Sequence, residues 1–238
     1  MGARSIRGLY GGDNEKRRAE SRARDMMSMI VVTLVGTALS SILGVASVYL
    51  AYRDGSSSAL VVGFEILVGV IAAYFVVRRF YGELYGRDDA REIAKQERNG
   101  AFSEGILFIV FGLVASADAV LAIVEKDPID QSSAILVVLY ISTVSAFTEA
   151  ALQWYYANRI QSLLAQEDAL GQFAAGLMSL AAAITHTIIR HRPSFWWLDP
   201  TVGLVLSIML VFFGAYYTHL SFHIEIEPDR DIVPSTLP

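Results

Sequence analysis

The chain has 238 residues, 54% of them hydrophobic, a mean hydropathy of +0.44 and a net charge of −5. This apolar content exceeds that of ordinary soluble domains and indicates an integral membrane protein. Cysteine is absent, which excludes a disulfide framework and a thiolate metal site.

Six apolar segments reach or approach the roughly 20 residues that a membrane-spanning helix needs. Backbone groups at that depth must satisfy their hydrogen bonds internally, so we expect helices. The predicted fold is therefore an all-α membrane protein with six transmembrane helices, and the alternative is that one segment is re-entrant. The segments are Met26–Tyr52, Ala59–Val77, Phe102–Val124, Ser133–Tyr156, Ala169–Ile189 and Thr201–Leu220.

Three regions follow from this division. Residues 1–25 form a charged cytosolic arm, which is either a surface helix on the anionic leaflet or a solvated segment. Residues 26–220 form the transmembrane domain, in which the charged stretch 81–100 extends helix two or three. Residues 221–238 form an acidic tail that is too short for a folded domain, so we expect no folded cytosolic C-terminal domain.

Basic residues predict the orientation. Fifteen of the 19 Lys and Arg residues fall in the arm, in the stretch 78–98, at Arg159 and at Arg230. The other side carries four: Arg53, Lys126, Arg190 and Arg192. Because basic loops stay in the cytosol, both termini are predicted to be cytosolic. Aromatic residues at 154–156 and 195–197 match the two membrane interfaces.

Two acidic residues are predicted near the outer face. Glu65 lies about one and a half turns into helix two, and Asp118 on helix three is placed at a similar depth. Charges inside a bilayer are costly, so such residues indicate function or a buried partner. The alternatives are a protonated Glu65 bonded to a neighbouring helix, and an Asp118 facing a packed interior or a dimer contact.

Two further acids are predicted nearer the cytosolic face, Glu149 on helix four and Asp168 on helix five. Together with Glu65 and Asp118, they would form two levels of acidic residues along an ion path. The alternatives are a Glu149 paired with Arg159 or Gln153, and an Asp168 that only caps helix five.

Other chemistry is not indicated. His186 and His191, at the outer end of helix five, are expected to be interfacial residues rather than ligands. We find no glycine-rich phosphate loop, H-E-x-x-H or G-x-S-x-G motif, so neither an enzyme nor a cofactor is predicted. The short basic arm adjoins a membrane helix and does not indicate a nucleic-acid surface.

Three stretches carry a family resemblance: SSSALVVGFEILVGVIAAY, RIQSLLAQEDALGQFAAG and FWWLDPTVGLVLSIMLVFFG. They resemble the cation diffusion facilitator superfamily, most of all its short branch, the transmembrane protein 163 family of vesicular and plasma-membrane zinc transporters. The resemblance implies six helices, cytosolic termini, a homodimer in lipid, mixed dimers with related transporters, and a divalent cation as cargo. Asp199 and Pro200 match a structural turn before helix six.

The resemblance also locates the family's ligand positions. On helix two these fall on Glu65 and Gly69, and on helix five on Gly171 and Ala175, with the family's preceding acid retained as Asp168. Zinc needs about four nitrogen, oxygen or sulfur ligands. One of the four positions keeps a ligand, so the metal site is predicted to be degenerate. Oxygen ligands alone favour harder ions such as magnesium, calcium or manganese.

The residues that replace the ligands have a second interpretation. Gly171 and Ala175 form a small-xxx-small pair, which allows close helix packing, and Gly69 is interpreted in the same way. Two functions therefore stay open. One is a secondary transporter of a divalent cation, zinc by the resemblance, with proton exchange through Glu65. The other is a non-transporting membrane protein of the same fold that acts as a binding or modulatory subunit.

The orientation is directly testable, because the chain contains no native cysteine. A cysteine introduced at Asp130 should react with an impermeant maleimide on intact cells, and one at Glu97 should react after permeabilisation. Labelling of the Glu97 variant on intact cells would reverse the topology.

Overall fold

A computed structural model describes residues 5–85, 90–126, 132–160 and 163–223. Within these ranges it contains six α-helices and one 3₁₀ turn, Pro193–Phe195. All six helices contain a segment long and apolar enough to cross a membrane. The predicted six-helix architecture is confirmed, and the protein is an integral, multi-pass membrane protein. The helices are α1 (Ser5–Asp54), α2 (Ser57–Leu84), α3 (Ala90–Glu125), α4 (Ser133–Ile160), α5 (Leu163–His191) and α6 (Leu198–His223).

Helix ends differ from the predicted ones mainly at α1. Its backbone is helical from Ser5, so the basic arm is continuous with the first membrane span, Glu20–Asp54. No proline interrupts this stretch, which removes the strongest helix breaker. Both α2 and α3 extend into the charged stretch between them, as expected.

A two-residue turn joins α1 to α2. Gly55 has φ +70°, the left-handed conformation that ends many helices, and the backbone N–H of Ser56 donates to the carbonyl of Ala51 at 2.9 Å. This pattern leaves no room for a loop, so α1 and α2 form a tight antiparallel hairpin.

Glycines set the closest helix contact, between α3 and α6. A Cβ atom at Gly105 would lie 2.8 Å from the carbonyl oxygen of Gly214, and one at Gly214 would lie 2.6 Å from that of Gly105. A Cβ at Gly112 would meet the carbonyl oxygen of Ser207 at 2.9 Å. Small residues thus bring the two backbones together, as is typical of membrane helices. By contrast, α5 and α6 contact each other sparsely.

A buried polar cluster ties α2, α5 and α6 together at the predicted outer end. We call Asp199, Ser56, Ser57, Ser58 and His186 the Asp199 hub. The fully buried Asp199 carboxylate accepts the backbone N–H groups of Ser57 at 2.8 Å and Ser58 at 3.4 Å. It also accepts the hydroxyls of Ser56 at 3.0 Å and of Ser58. A side chain of α6 therefore caps the N-terminus of α2, where a negative charge is most favourable.

His186, at the predicted outer end of α5, completes the hub. Its side chain is buried, with Nε2 2.8 Å from the Ser56 hydroxyl and 3.3 Å from Asp199 Oδ1. Polar groups from two other helices supply the partners that the sequence of α5 alone does not reveal. His191 is exposed and bonds through Nδ1 to the carbonyl of Thr187 at 2.8 Å.

Replacing Asp199 with Asn should destabilise the protein. The amide keeps the shape but replaces one acceptor oxygen with a donor, so it leaves N–H or hydroxyl donors unpaired, which costs about 2 kcal/mol. Unfolding by SDS titration, followed by circular dichroism, should show a lower midpoint for Asp199→Asn. The control is Glu125→Gln, at an exposed residue that ends α3. Equal midpoints for the two variants would argue against the capping role.

Candidate functional site

A cavity of about 720 Å³ lies between α2, α3, α5 and α6. Its lining residues lie between Glu65 and Arg79 on α2 and between Gln96 and Phe108 on α3, which places it in the half of the bundle away from the Asp199 hub. Most of the lining is apolar or aromatic. The charged and amide side chains in it are Glu65, Arg79, Gln96, Glu104, Asp168 and Gln172.

Glu65 is the most isolated of the predicted acids. It lies eight residues after the start of α2, about 12 Å along the helix axis. Its side chain is buried, with the residue 8% exposed, and Oε2 has no hydrogen-bond partner among the described residues. An ionised carboxylate without a compensating charge costs roughly several kcal/mol in such surroundings. Glu65 must therefore carry a proton or bind a cation.

Asp168 lines the same cavity as Glu65, from α5. The residue is half-buried, its Oδ2 atom is buried without a hydrogen-bond partner in the described part of the chain, and Gln153 of α4 interacts with it. Because α5 begins at Leu163, Asp168 lies in the second turn and is not the helix cap. The capping interpretation is therefore wrong, and the structure brings Asp168 and Glu65 to one cavity.

Glu149 lies beside a second, much smaller space of about 20 Å³ that Glu65 also lines. The Gln153 amide donates to Glu149 Oε1 at 3.4 Å, and the carboxylate lies against Gly36 of α1. The predicted pairing with Gln153 is thus confirmed. Arg159 instead meets Asp25 at 3.1 Å, so the alternative pair is not formed.

Asp118 does not share a level with Glu65, so this part of the two-level prediction is wrong. The Phe64 and Phe111 rings stack 4.7 Å apart, which places Phe111 of α3 beside Glu65. Asp118 lies two turns further along α3, with an exposed side chain, and accepts the Ser57 hydroxyl at 2.7 Å. It belongs beside the hub and does not line the cavity.

Glu104 is a cavity residue that the sequence reasoning missed. It lies on α3, and its side chain faces the same space as Glu65 and Asp168. Its position two residues inside a predicted membrane segment resembles that of an ordinary interfacial charge. The available signal was helical spacing, since Gly100, Glu104 and Phe108 recur at intervals of four on one helix face.

The positions that replace the family's ligands border open space. A Cβ at Gly69 would find Gln172 Nε2 at 3.8 Å, and one at Gly171 would find the Tyr217 hydroxyl at 3.8 Å, both ordinary contacts. Both glycines line the main cavity, as does Ala175. The packing interpretation is therefore wrong for Gly69 and Gly171.

The acids share the cavity without converging on one point. Across the described residues, no group of three or more His, Asp or Glu side chains is arranged to hold a metal ion. A cation that entered this arrangement would meet fewer than three of these carboxylates at once and would complete its shell with water or amide oxygens.

Comparison with known proteins agrees with the helical architecture. The profile of the cation efflux transmembrane domain matches residues 92–216, more than half of the chain, from the start of α3 into α6. The chain belongs to the cation efflux family. The match includes Glu104 and Asp168, while Glu65 lies on the preceding helix, outside the matched residues.

The chain is also similar to a curated protein. Transmembrane protein 163 from Xenopus laevis is 18% identical over 183 residues, which cover 77% of this chain and 63% of that protein. The chain thus spans less than two thirds of the relative's length. The resemblance noted from the sequence stretches is confirmed at the family level.

The two kinds of glycine should respond differently to alanine. Gly69→Ala adds a methyl group beside open space, so its SDS unfolding midpoint should match the parent's within about 0.5 kcal/mol. Gly105→Ala forces the α3 and α6 backbones apart and should cost about 1–3 kcal/mol. A larger loss for Gly69→Ala than for Gly105→Ala would restore the packing interpretation.

Proposed function

We propose that the protein is a secondary transporter of a divalent cation, with zinc as the first candidate because of the family resemblance. The observation that carries the proposal is the buried carboxylate of Glu65, which lines a membrane cavity together with two further acids and whose Oε2 atom has no hydrogen-bond donor among the described residues. Membership of the cation efflux family supports the same class of cargo.

Glu65 is proposed to exchange a proton for the cation. When protonated it is neutral and suits its apolar surroundings, and when the cation binds the proton leaves. Glu104 and Asp168 supply further oxygen ligands along the same cavity. This oxygen-rich set also suits magnesium, calcium and manganese, so the ion is to be determined across several metals.

The position of the cavity along the helices indicates on which side of the membrane it lies. The lining residues lie toward the C-terminal end of α2, which the basic residues predict to be cytosolic. At the opposite end an apolar layer that includes Met178, Leu206 and Leu210 separates the cavity from the Asp199 hub. We therefore propose that the cavity lies on the cytosolic side of the transport path, in a homodimer as the resemblance implies.

The second candidate is a non-transporting subunit of the same fold. It is favoured by the scattered acids, which in the described residues hold no metal-binding group of three, and by Gly69, Gly171 and Ala175 at the ligand positions. Such a protein would bind or modulate related transporters through mixed dimers.

The test of the first candidate is ion uptake into proteoliposomes. Glu65→Gln keeps the shape of the side chain and removes its titration, so uptake should fall at least tenfold, or about 1.4 kcal/mol, and lose its pH dependence. In the parent, uptake should rise with pH, because Glu65 must release its proton. Asp168→Asn should reduce uptake less, and the exposed Glu125→Gln should match the parent.

Two outcomes separate the candidates. If Glu65→Gln moves zinc, manganese, magnesium and calcium as well as the parent, the proton-exchange site is wrong. If neither the parent nor the triple variant Gly69→Asp, Gly171→His, Ala175→Asp moves any ion, the non-transporting subunit is the better description. Both glycines border open space, since a Cβ at either would meet nothing closer than 3.8 Å, and circular dichroism checks that the triple variant folds.

A further inference from the structure

The cavity is much larger than a bare metal ion requires. Its 720 Å³ falls in the range of 300–1,000 Å³, roughly, in which proteins bind organic ligands. Part of this space exists because Gly69 and Gly171 carry no side chains, and a Cβ added to either would still meet nothing closer than 3.8 Å. The volume therefore calls for an occupant with an extended body.

The walls have the chemistry of a site for an amine with an apolar body. Aromatic rings of α2, α3 and α6 line the cavity, and the Phe108 and Tyr217 rings lie 6.1 Å apart. Such rings attract ammonium groups through their faces and pack against hydrocarbon. An aliphatic or aromatic body would thus make the van der Waals contacts with the lining that are missing when the cavity is empty.

The charged residues of the lining favour a positively charged group at the other end of the ligand. Among the described residues, the lining contains three acids, Glu65, Glu104 and Asp168, and one cation, Arg79. The buried Oε2 atom of Glu65 has no donor among the described residues. A protonated amine supplies such a donor together with a compensating charge, and it needs one carboxylate rather than a converging set.

On its α5–α6 side, the cavity is lined by residues that also belong to the exposed surface of the bundle. Leu170 on α5 and Phe212 and Tyr216 on α6 line it and are strongly exposed. They lie on two helices that contact each other sparsely. An amphiphilic molecule dissolved in the lipid would enter the cavity from this side.

We propose that this cavity binds an organic monocation: a protonated amine held by Glu65, with an apolar body packed against the aromatic wall at Phe108 and Tyr217. An amine and a metal ion would occupy Glu65 in turn, and binding of the amine does not require that the protein transports metal. It goes beyond the proposed function, because it assigns the cavity a ligand class other than a metal ion.

The test uses 4-phenylbutylamine and its uncharged counterpart 4-phenylbutanol, with purified protein in lipid nanodiscs free of added metal. Binding is measured by isothermal titration and corrected with empty nanodiscs, because both probes enter lipid. The amine should bind at least about tenfold more tightly than the alcohol, which corresponds to one charge-assisted hydrogen bond. Glu125→Gln should bind as the parent does.

Two variants locate the ligand. Glu65→Gln should weaken amine binding at least about tenfold and leave alcohol binding unchanged. Gly171→Leu fills the cavity and should weaken both probes, with helix content by circular dichroism as the check on folding. Equal binding of amine and alcohol would overturn the proposal and indicate a lipid pocket. Unchanged amine binding in a folded Glu65→Gln or Gly171→Leu variant would overturn it as well. If the protein transports metal but fails these binding tests, the amine site is wrong and the proposed transport function is unaffected.

Discussion

The carboxylate of Asp199 is the constraint on which the rest of the bundle depends. It accepts the first backbone N–H groups of α2 from a neighbouring helix, so the start of α2 is set by α6 rather than by its own sequence. A helix advances about 1.5 Å per residue, and Glu65 is therefore held about 12 Å from that point. The position of Glu65 along the bundle therefore depends on the buried Asp199 side chain, which lies at the opposite end of the bundle from the cavity.

Glycine has two opposite consequences in this protein. At Gly105 and Gly214 the missing side chains allow two backbones to touch, and α3 and α6 form the closest pair. At Gly69 and Gly171 the neighbours do not approach, and the missing side chains leave a cavity. At these two positions, which the resemblance matches to the family's ligands, the missing side chains therefore leave space and do not bring helices together.

Hydropathy was sufficient to predict the six helices, because a bilayer demands long apolar segments with internally bonded backbones. Glu65 and Asp168 could be predicted as site residues from the cost of charge at depth. Asp118 was placed wrongly, because helix-to-helix register depends on contacts such as Phe64 with Phe111 that no single sequence displays. Glycine spacing likewise indicates where two helices can pack closely. Whether they do so depends on the tertiary structure.

The intimate contact of α3 with α6 has a mechanical consequence. Two helices whose backbones touch through Gly105 and Gly214 cannot slide past one another without separating, so α3 and α6 move as one rigid unit. Asp199 connects the hairpin of α1 and α2 to this unit at one end. α5 is packed on α4, only lightly against α6, and is held at its outer end by His186 in the hub. A tilt of α5 about the hub would therefore change the distance between Asp168 and Glu65 while leaving the α3–α6 pair in place.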